Sequence, residues 1–271
     1  MARSLITFTT DFGLADPSVG ICKGVMLSIA PDAQIVDISH GIPRQSVIEG
    51  AGLLAAALPY FAVGVHLAVV DPGVGTSRRP VAMRVARGDV LVGPDNGLLS
   101  LAADALGGAV ACHELAAETY RLSPVSRTFH GRDIFAPAAA HLAAGVPIEA
   151  LGPSVALESL STLDLPGPAV APGSLEAVVI SVDSFGSLQL LANASDLERA
   201  LSPLRLNAEL TVRVDGRSPA VATWRQTYGD VPEGELLVLV DSYGRLAVAV
   251  NTGSAAARLG IGTGDRLAIT R

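Results

Sequence analysis

Hydrophobic positions change their spacing a little past the middle of this chain. In the first part, short apolar runs alternate with longer stretches of helical spacing. Ser4 to Thr9 is β-rich, Ser18 to Ala30 predicts a helix, and Ile35 to Ile38 predicts a short strand. Asp16 is placed to cap that helix, with Pro17 in its first turn. Ile48 to Phe61 is rich in alanine and leucine and sets Ala51, Leu54, Ala55 and Leu58 on one face. His66 to Val70 is apolar enough for a strand covered on both sides of a sheet. Val81 to Val85 and Val90 to Val92 follow as strands, and Ile134 to Ala144 as a helix stopped by Gly145. This alternation predicts a layered α/β domain over residues 1–152.

Residues 153–173 lose the periodicity and fill with Pro, Gly and Ser, which reads as a linker. From 174 to 271 the apolar runs are short and β-like. They cover Glu176 to Val182, Leu188 to Ala192, Glu209 to Val214, Ala220 to Trp224, Leu236 to Val240, Leu246 to Val250 and Arg266 to Thr270. The expected fold class is therefore α/β, an N-terminal layered domain followed by a smaller all-β, barrel-like domain.

Composition narrows the function. Of 271 residues, 49% are apolar and 17% charged, so a sizeable core is available. The net charge of -7 disfavours a nucleic-acid binder, which should present a basic face. The two cysteines, Cys22 and Cys112, lie in no CxxC or His/Cys pattern, so a zinc site is not expected. No apolar run is long enough to cross a membrane and no apolar signal core opens the chain, so a cytoplasmic address is expected.

Candidate chemistry gathers where β-type runs end. TTDFGLADPS, VVDPGVGTSRR, VGPDNG and TFHGRD each deliver polar residues and glycine after or between such runs. In α/β sheets ligands sit beyond the carboxyl ends of strands, so a shared site at that edge is expected. Simpler readings stand beside it. Asp11 suits a turn, Asp16 a cap, Asn96-Gly97 a tight turn, and Asp133 the start of a helix. His40, His66, His113 and His141 are scattered and read as structural or surface residues. VDSFG and VDSYG in the second domain place Phe185 and Tyr243 at equivalent turns, where they could stack on a planar ligand.

Taken in order, TTDFGLADPSVGICKGVM, IVDISHGIPRQSVIEGA, VVDPGVGTSRRPVA, VGPDNGLLS and TFHGRDIFAPAAAHLA resemble the S-adenosyl-L-methionine (SAM) hydroxide adenosyltransferase family, SAM hydrolases similar in fold to fluorinase and chlorinase. The likeness runs from about Ile6 to the final GDRL and is strongest in the first domain. It implies an α/β domain followed by a β-barrel, and a homotrimer with SAM held between domains of neighbouring subunits. The implied reaction is attack of water, acting as hydroxide, on the 5′ carbon of SAM, giving adenosine and L-methionine with no cofactor and no metal.

By motif position, the resemblance assigns catalysis to Asp71, Arg78 and His130, with Arg78 favouring hydroxide and either Asp71 or His130 handling the proton. It assigns the ribose hydroxyls to Asp11 and the methionine end to Asp16 and Ser18, with further methionine contacts from Asp183 and Ser242. Phe185 and Tyr243 are expected beside the adenosine, and the backbone near Asn251 and Thr252 at the adenine edge. Two departures stand out. Ser187 occupies the place of a family asparagine that reads adenine, and Gln189-Leu190 replaces a threonine-asparagine pair. The halogenases carry tyrosine at Asp71, threonine at Val74 and a Tyr-Ser type pair at His130-Gly131. An anionic Asp71 would repel a halide, which favours water. A SAM or adenosine sensor without turnover is the alternative from another class.

Overall fold

The computed structural model describes residues 4–271; residues 1–3 of the expected first domain lie outside the described part. The chain forms two compact units, divided between Leu163 and Asp164.

The first unit is a layered α/β structure, as expected. Its strands are β1 (Leu5–Thr10), β2 (Gln34–Ser39), β3 (Val65–Val69), β4 (Pro80–Val85), β5 (Val90–Pro94) and β6 (Ala109–Glu114). They form one sheet in the order β2-β1-β3-β5-β4-β6. The pairs β2–β1, β1–β3 and β3–β5 are parallel, while β4 is antiparallel to both its neighbours. Helices α1 (Ser18–Ile29), α2 (Val47–Ala57), α3 (Ser100–Ala105) and α4 (Ala136–Ala143) cover the sheet.

All five β3 residues are buried because the sheet is packed on both faces. Leu67 and Val69 join Cys22, Met26 and Ala139 on the α1/α4 side. Ala68 and Val70 join Leu54, Leu58 and Ala102 on the α2/α3 side. A strand alternates its side chains between faces, so a nearly continuous apolar run is what two covered faces require, and the one polar member, His66, is buried with hydrogen-bond partners in Thr7 and Asp89. The predicted apolar face of α2, Ala51, Leu54 and Ala55 with Leu58 just beyond, is buried. Helix α1 starts at Ser18 with Pro17, not Asp16, at the cap position and no side-chain cap there; Asp16 lies one residue further out, where its carboxylate accepts the Ser18 amide at 2.8 Å. Strand β6 and helix α3 carried no clear period and were not predicted. They are short and rich in alanine, and β6 has a single buried residue.

The segment expected as a linker is partly packed. Arg79 donates to the Ser159 hydroxyl at 3.1 Å and its carbonyl at 2.5 Å, and the Ser161 amide donates to Asp95 at 2.7 Å. Residues up to Leu163 therefore belong to the first unit.

The second unit is built on β7 (Ala169–Ala171), β8 (Ser174–Val182), β9 (Leu188–Asn193), β10 (Glu209–Arg213), β11 (Ala220–Trp224), β12 (Leu236–Val240), β13 (Arg245–Val250) and β14 (Arg266–Thr270). The order is β14-β10-β11-β12-β13-β9-β8-β7, and β14 also pairs with β8. That last pairing closes a ring of seven strands into a barrel, with β7 outside it. Closure removes the exposed edges that an open sheet would present. The unit is not purely β: α5 (Ala194–Leu201) and α6 (Ala255–Leu259) interrupt it. Asn193 caps α5 through a capping box with Asp196, a signal present in the sequence as N-A-S-D.

Candidate functional site

Strands β1 and β3 run parallel side by side, and Thr10 lies opposite Val69 at their carboxyl ends. The chain passes from β1 to β2 on one side and then returns to β3 on the other. Between β1 and β3 the connections diverge, which opens a crevice at the strand ends. Asp11 leaves β1 there, and Asp71 leaves β3 at the same level.

Asp71 is bound by Arg78 from its own loop. Arg78 Nε donates to Asp71 Oδ1 at 2.8 Å and to Oδ2 at 3.0 Å, and Nη2 adds a shorter bond to Oδ2. The same Nη2 lies 2.9 Å from His130 Nδ1. Both charged side chains are nearly sequestered, at 9% exposure for Arg78 and 5% for Asp71. The Arg78 guanidinium also lies 5.0 Å from the Phe135 ring centroid. The three residues expected to act together thus form one hydrogen-bonded chain, across 52 positions of sequence between Arg78 and His130.

A guanidinium only donates, so His130 Nδ1 must accept and the neutral ring carries its proton on Nε2. Burial pushes the His130 pKa below the ordinary histidine value, and the Arg78 charge adds to this against the opposing pull of Asp71. His130 precedes a π-helical turn, Gly131–Phe135, that leads into α4. Such turns re-aim side chains at the start of a helix.

Glycine makes the convergence possible. Gly75 has φ +77°, and a Cβ there would sit 2.4 Å from the Arg127 carbonyl oxygen. The loop that carries Arg78 can therefore press against the backbone just ahead of His130 only if this position has no side chain.

These groups border a cavity of about 310 Å³ in the first unit. Asp11, Asp16, Asp71, Val74 and His130 line it, together with Phe12, Arg44, Gln45, Thr128 and Phe129, which the sequence had not singled out. Asp11 accepts the Gln45 amide at 2.8 Å. Asp16 is held below the usual carboxylate range by its hydrogen bonds to Ser18. Ser18 itself is not in the wall, and Arg78 lies behind Asp71 and His130.

VGPDNG does not reach this cavity. Asp95 is spent on Arg79 and the Ser161 amide, and Asn96 donates to the Val70 carbonyl at 2.9 Å while accepting the Leu98 amide. The turn reading holds for Asn96, with the added task of tying down the end of β3. The adjacent arginines divide accordingly: Arg78 faces the cavity chain and Arg79 fastens the segment around Ser159.

The second unit holds a larger cavity, about 860 Å³. Asp183, Phe185, Ser187, Ser242, Tyr243 and Thr252 line it, as does Gln189. The two similar turns are built alike. Asp183 Oδ1 accepts from the Phe185 and Ser187 amides, and Asp241 Oδ1 accepts from the Tyr243 and Arg245 amides. The turn reading thus explains both aspartates, and it leaves Phe185 79% exposed and Tyr243 47% exposed. For Asn251 the expectation concerned the backbone. Its side chain donates to the Val231 carbonyl at 2.7 Å, and its neighbours Val250 and Thr252 line the wall. Asp241, the turn acid of VDSYG, lines the cavity too, and so does Tyr228, which was missed because nothing local marks it. Burial raises the Tyr228 pKa, with Asp183 and Asp241 adding to the effect.

His66, within β3, and His40, just after β2, sit in buried networks between neighbouring strands rather than in either cavity. His66 bridges Thr7 and Asp89, and His40 bonds Thr10 at 2.8 Å. Among the described residues, no group of three or more His, Cys, Asp or Glu side chains could hold a metal ion.

Comparison with known proteins follows the same division. The model of the SAM hydroxide adenosyltransferase N-terminal domain matches residues 6–152, and that of the C-terminal domain matches residues 177–268. A protein named (R)-S-adenosyl-L-methionine hydrolase from Salinispora tropica is 49% identical over 98% of this chain and 97% of its own length. A protein named fluorinase from Actinopolyspora mzabensis is 30% identical over 100% of this chain and 98% of its own. The crystal structure of an uncharacterized conserved protein from Thermotoga maritima superposes with a TM-score of 0.91 at 36% identity, covering 98% of this chain and 100% of that one.

Proposed function

This chain belongs to the SAM hydroxide adenosyltransferase family, and from that premise we propose that it hydrolyses S-adenosyl-L-methionine to adenosine and L-methionine. The observation that carries the reading is the Arg78 guanidinium bridging the Asp71 carboxylate and His130 Nδ1 at the wall of a cavity.

The chemistry follows from the substrate. The sulfonium leaves as a neutral thioether, so no acid is needed on the leaving side and no cofactor is called for. The difficulty is the nucleophile. In the proposed step a water oxygen attacks the 5′ carbon, the carbon–sulfur bond breaks, and its electron pair returns to sulfur. The water proton passes to Asp71. His130 Nδ1 is occupied by Arg78, so its part is to orient the water through Nε2. Arg78, itself nearly sequestered with Asp71, stabilises the growing hydroxide character. The ion-paired carboxylate of Asp71 at the reacting carbon disfavours a halide nucleophile, which separates this chain from its fluorinase relatives.

Asp11 is proposed to hold the ribose hydroxyls and Asp16 with Ser18 the methionine end. Asp183 and Ser242 are proposed as further contacts to the methionine end, and Phe185, Ser187, Tyr243 and the backbone near Asn251 and Thr252 as the adenosine side. We further propose a homotrimer in which the cavity of one subunit's first domain is completed by a neighbour's second domain. Two cavities that each carry part of this residue set support it. A cytoplasmic location is proposed as well. Both cysteines are free, as a reducing compartment keeps them, and no described helix is long and apolar enough to cross a membrane.

The test is incubation with SAM in oxygen-18 water, followed by mass spectrometry, with Asp71→Ala in parallel. Label at the 5′ hydroxyl of adenosine, lost in the variant, is the expected result. SAM that binds and stays intact would overturn the hydrolase in favour of a sensor.

A further inference from the structure

The methionine end of the proposed substrate is a zwitterion and needs a partner of each sign. Carboxylates are plentiful in the cavity of the first unit, where Asp11, Asp16 and Asp71 line the wall. Cations are scarce. Arg78 is committed to Asp71 and His130, and among the residues lining this cavity Arg44 is the single Lys or Arg. Among the described residues no hydrogen bond or ion pair engages the Arg44 guanidinium.

Its mounting is firm. The next residue, Gln45, donates its amide to Asp11 Oδ2 at 2.8 Å and holds φ +64°, a conformation that residues with a side chain adopt rarely. The Ser46 amide closes the turn onto the Pro43 carbonyl at 3.0 Å. Arg44 is thereby fixed one residue from a carboxylate of the same cavity. Asp16 feels the Arg44 charge, yet its hydrogen bonds go to Ser18. The two opposite charges share a cavity wall without joining, which leaves room for a ligand that carries both signs.

We propose that Arg44 and Asp16 form a clamp for the amino-acid end of the substrate, with Arg44 taking the α-carboxylate and Asp16 the ammonium. The planar guanidinium suits a carboxylate, which it can meet through two parallel N–H donors. Arg44 is then a specificity-determining residue: it makes the enzyme select sulfonium nucleosides that retain the carboxylate. The inference rests on the SAM hydrolase reading and deepens it.

The test compares kcat/KM for SAM and for decarboxylated SAM, which differs only in that group, in the full-length wild type, Arg44→Ala and Arg44→Lys. Arg44→Ala should lower kcat/KM for SAM about tenfold or more, chiefly through KM, and leave decarboxylated SAM within about twofold of wild type. Arg44→Lys should recover part of the loss, since it keeps the charge without the fork. Equal losses on both substrates, or none on SAM, would overturn the clamp. Wild-type protein that releases no adenosine would instead defeat the hydrolase reading. Calorimetric titration with the same two compounds then decides the clamp separately: a preference for SAM that Arg44→Ala abolishes supports it, and a preference that survives, or none in the wild type, refutes it.

Discussion

Replacing Gly75 by alanine should separate catalytic geometry from stability. The backbone there has φ +77°, which costs a residue with a Cβ about 1–2 kcal/mol. The added methyl would also meet the Arg127 carbonyl oxygen at 2.4 Å, where ordinary contact begins at 3.4 Å. The loop and the Arg127 backbone must part by about 1 Å. Arg127 lies three residues before His130, so the displacement falls on the bond from Arg78 to His130. A misplacement of about 1 Å in a reacting constellation costs on the order of 100-fold in rate. Thermal stability should fall by only about 2–8 °C, from the strain and the size of the unit. Adenosine release followed by chromatography reads the first effect, and a thermal melt reads the second. Gly108→Ala is the control. It has φ +92° and nothing within 4 Å of the added Cβ, so it carries similar strain at a remote turn. It should lose stability and keep its rate. The reasoning fails if Gly75→Ala turns over at the wild-type rate, or if Gly108→Ala slows as much.

Two further outcomes follow from the charges. Protonating His130 would place a hydrogen on Nδ1 against the Arg78 guanidinium; because burial and Arg78 lower its pKa, the acid limb of the kcat profile should lie below the ordinary histidine value of 6.5, and activity should be flat above it. An acid limb at or above 6.5 would contradict the assigned bond. Burial works against the Asp89 carboxylate, but Arg87, His66 and the Gly64 amide together hold its pKa to about 2, so its stabilising contribution is present above the unfolded carboxylate value and fades as pH falls toward 2. Asp89→Ala leaves the Arg87 and His66 partners uncompensated and should cost about 3–5 kcal/mol in urea unfolding while leaving the KM of the folded enzyme unchanged.

What the sequence determined by itself was local. Whether a stretch becomes strand or helix depends on neighbours two to four residues away, so the apolar run of β3, the face of α2 and the seven strands of the barrel were legible. The strand-end acids were legible too, because turn chemistry and motif order are written in adjacent residues. Where local signals were short or weak, as in β6, α3 and α6, tertiary packing supplied the element.

Partner choice was another matter. Nothing in SRR says that Arg78 reaches His130 while Arg79 turns to Asp95 and Ser159; sheet order and the Gly75 contact decide it. The same holds for Asp95, spent on structure, for Asn251, turned toward Val231, and for Tyr228, brought to a cavity wall. Nothing adjacent to Arg44 marks it; its place in a cavity wall comes from the turn after β2, pinned to Asp11 through Gln45. Each of these depends on residues tens of positions apart meeting at a sheet edge or across a closed barrel. A contact of that range is fixed when the whole chain packs, because only then are the competing partners excluded.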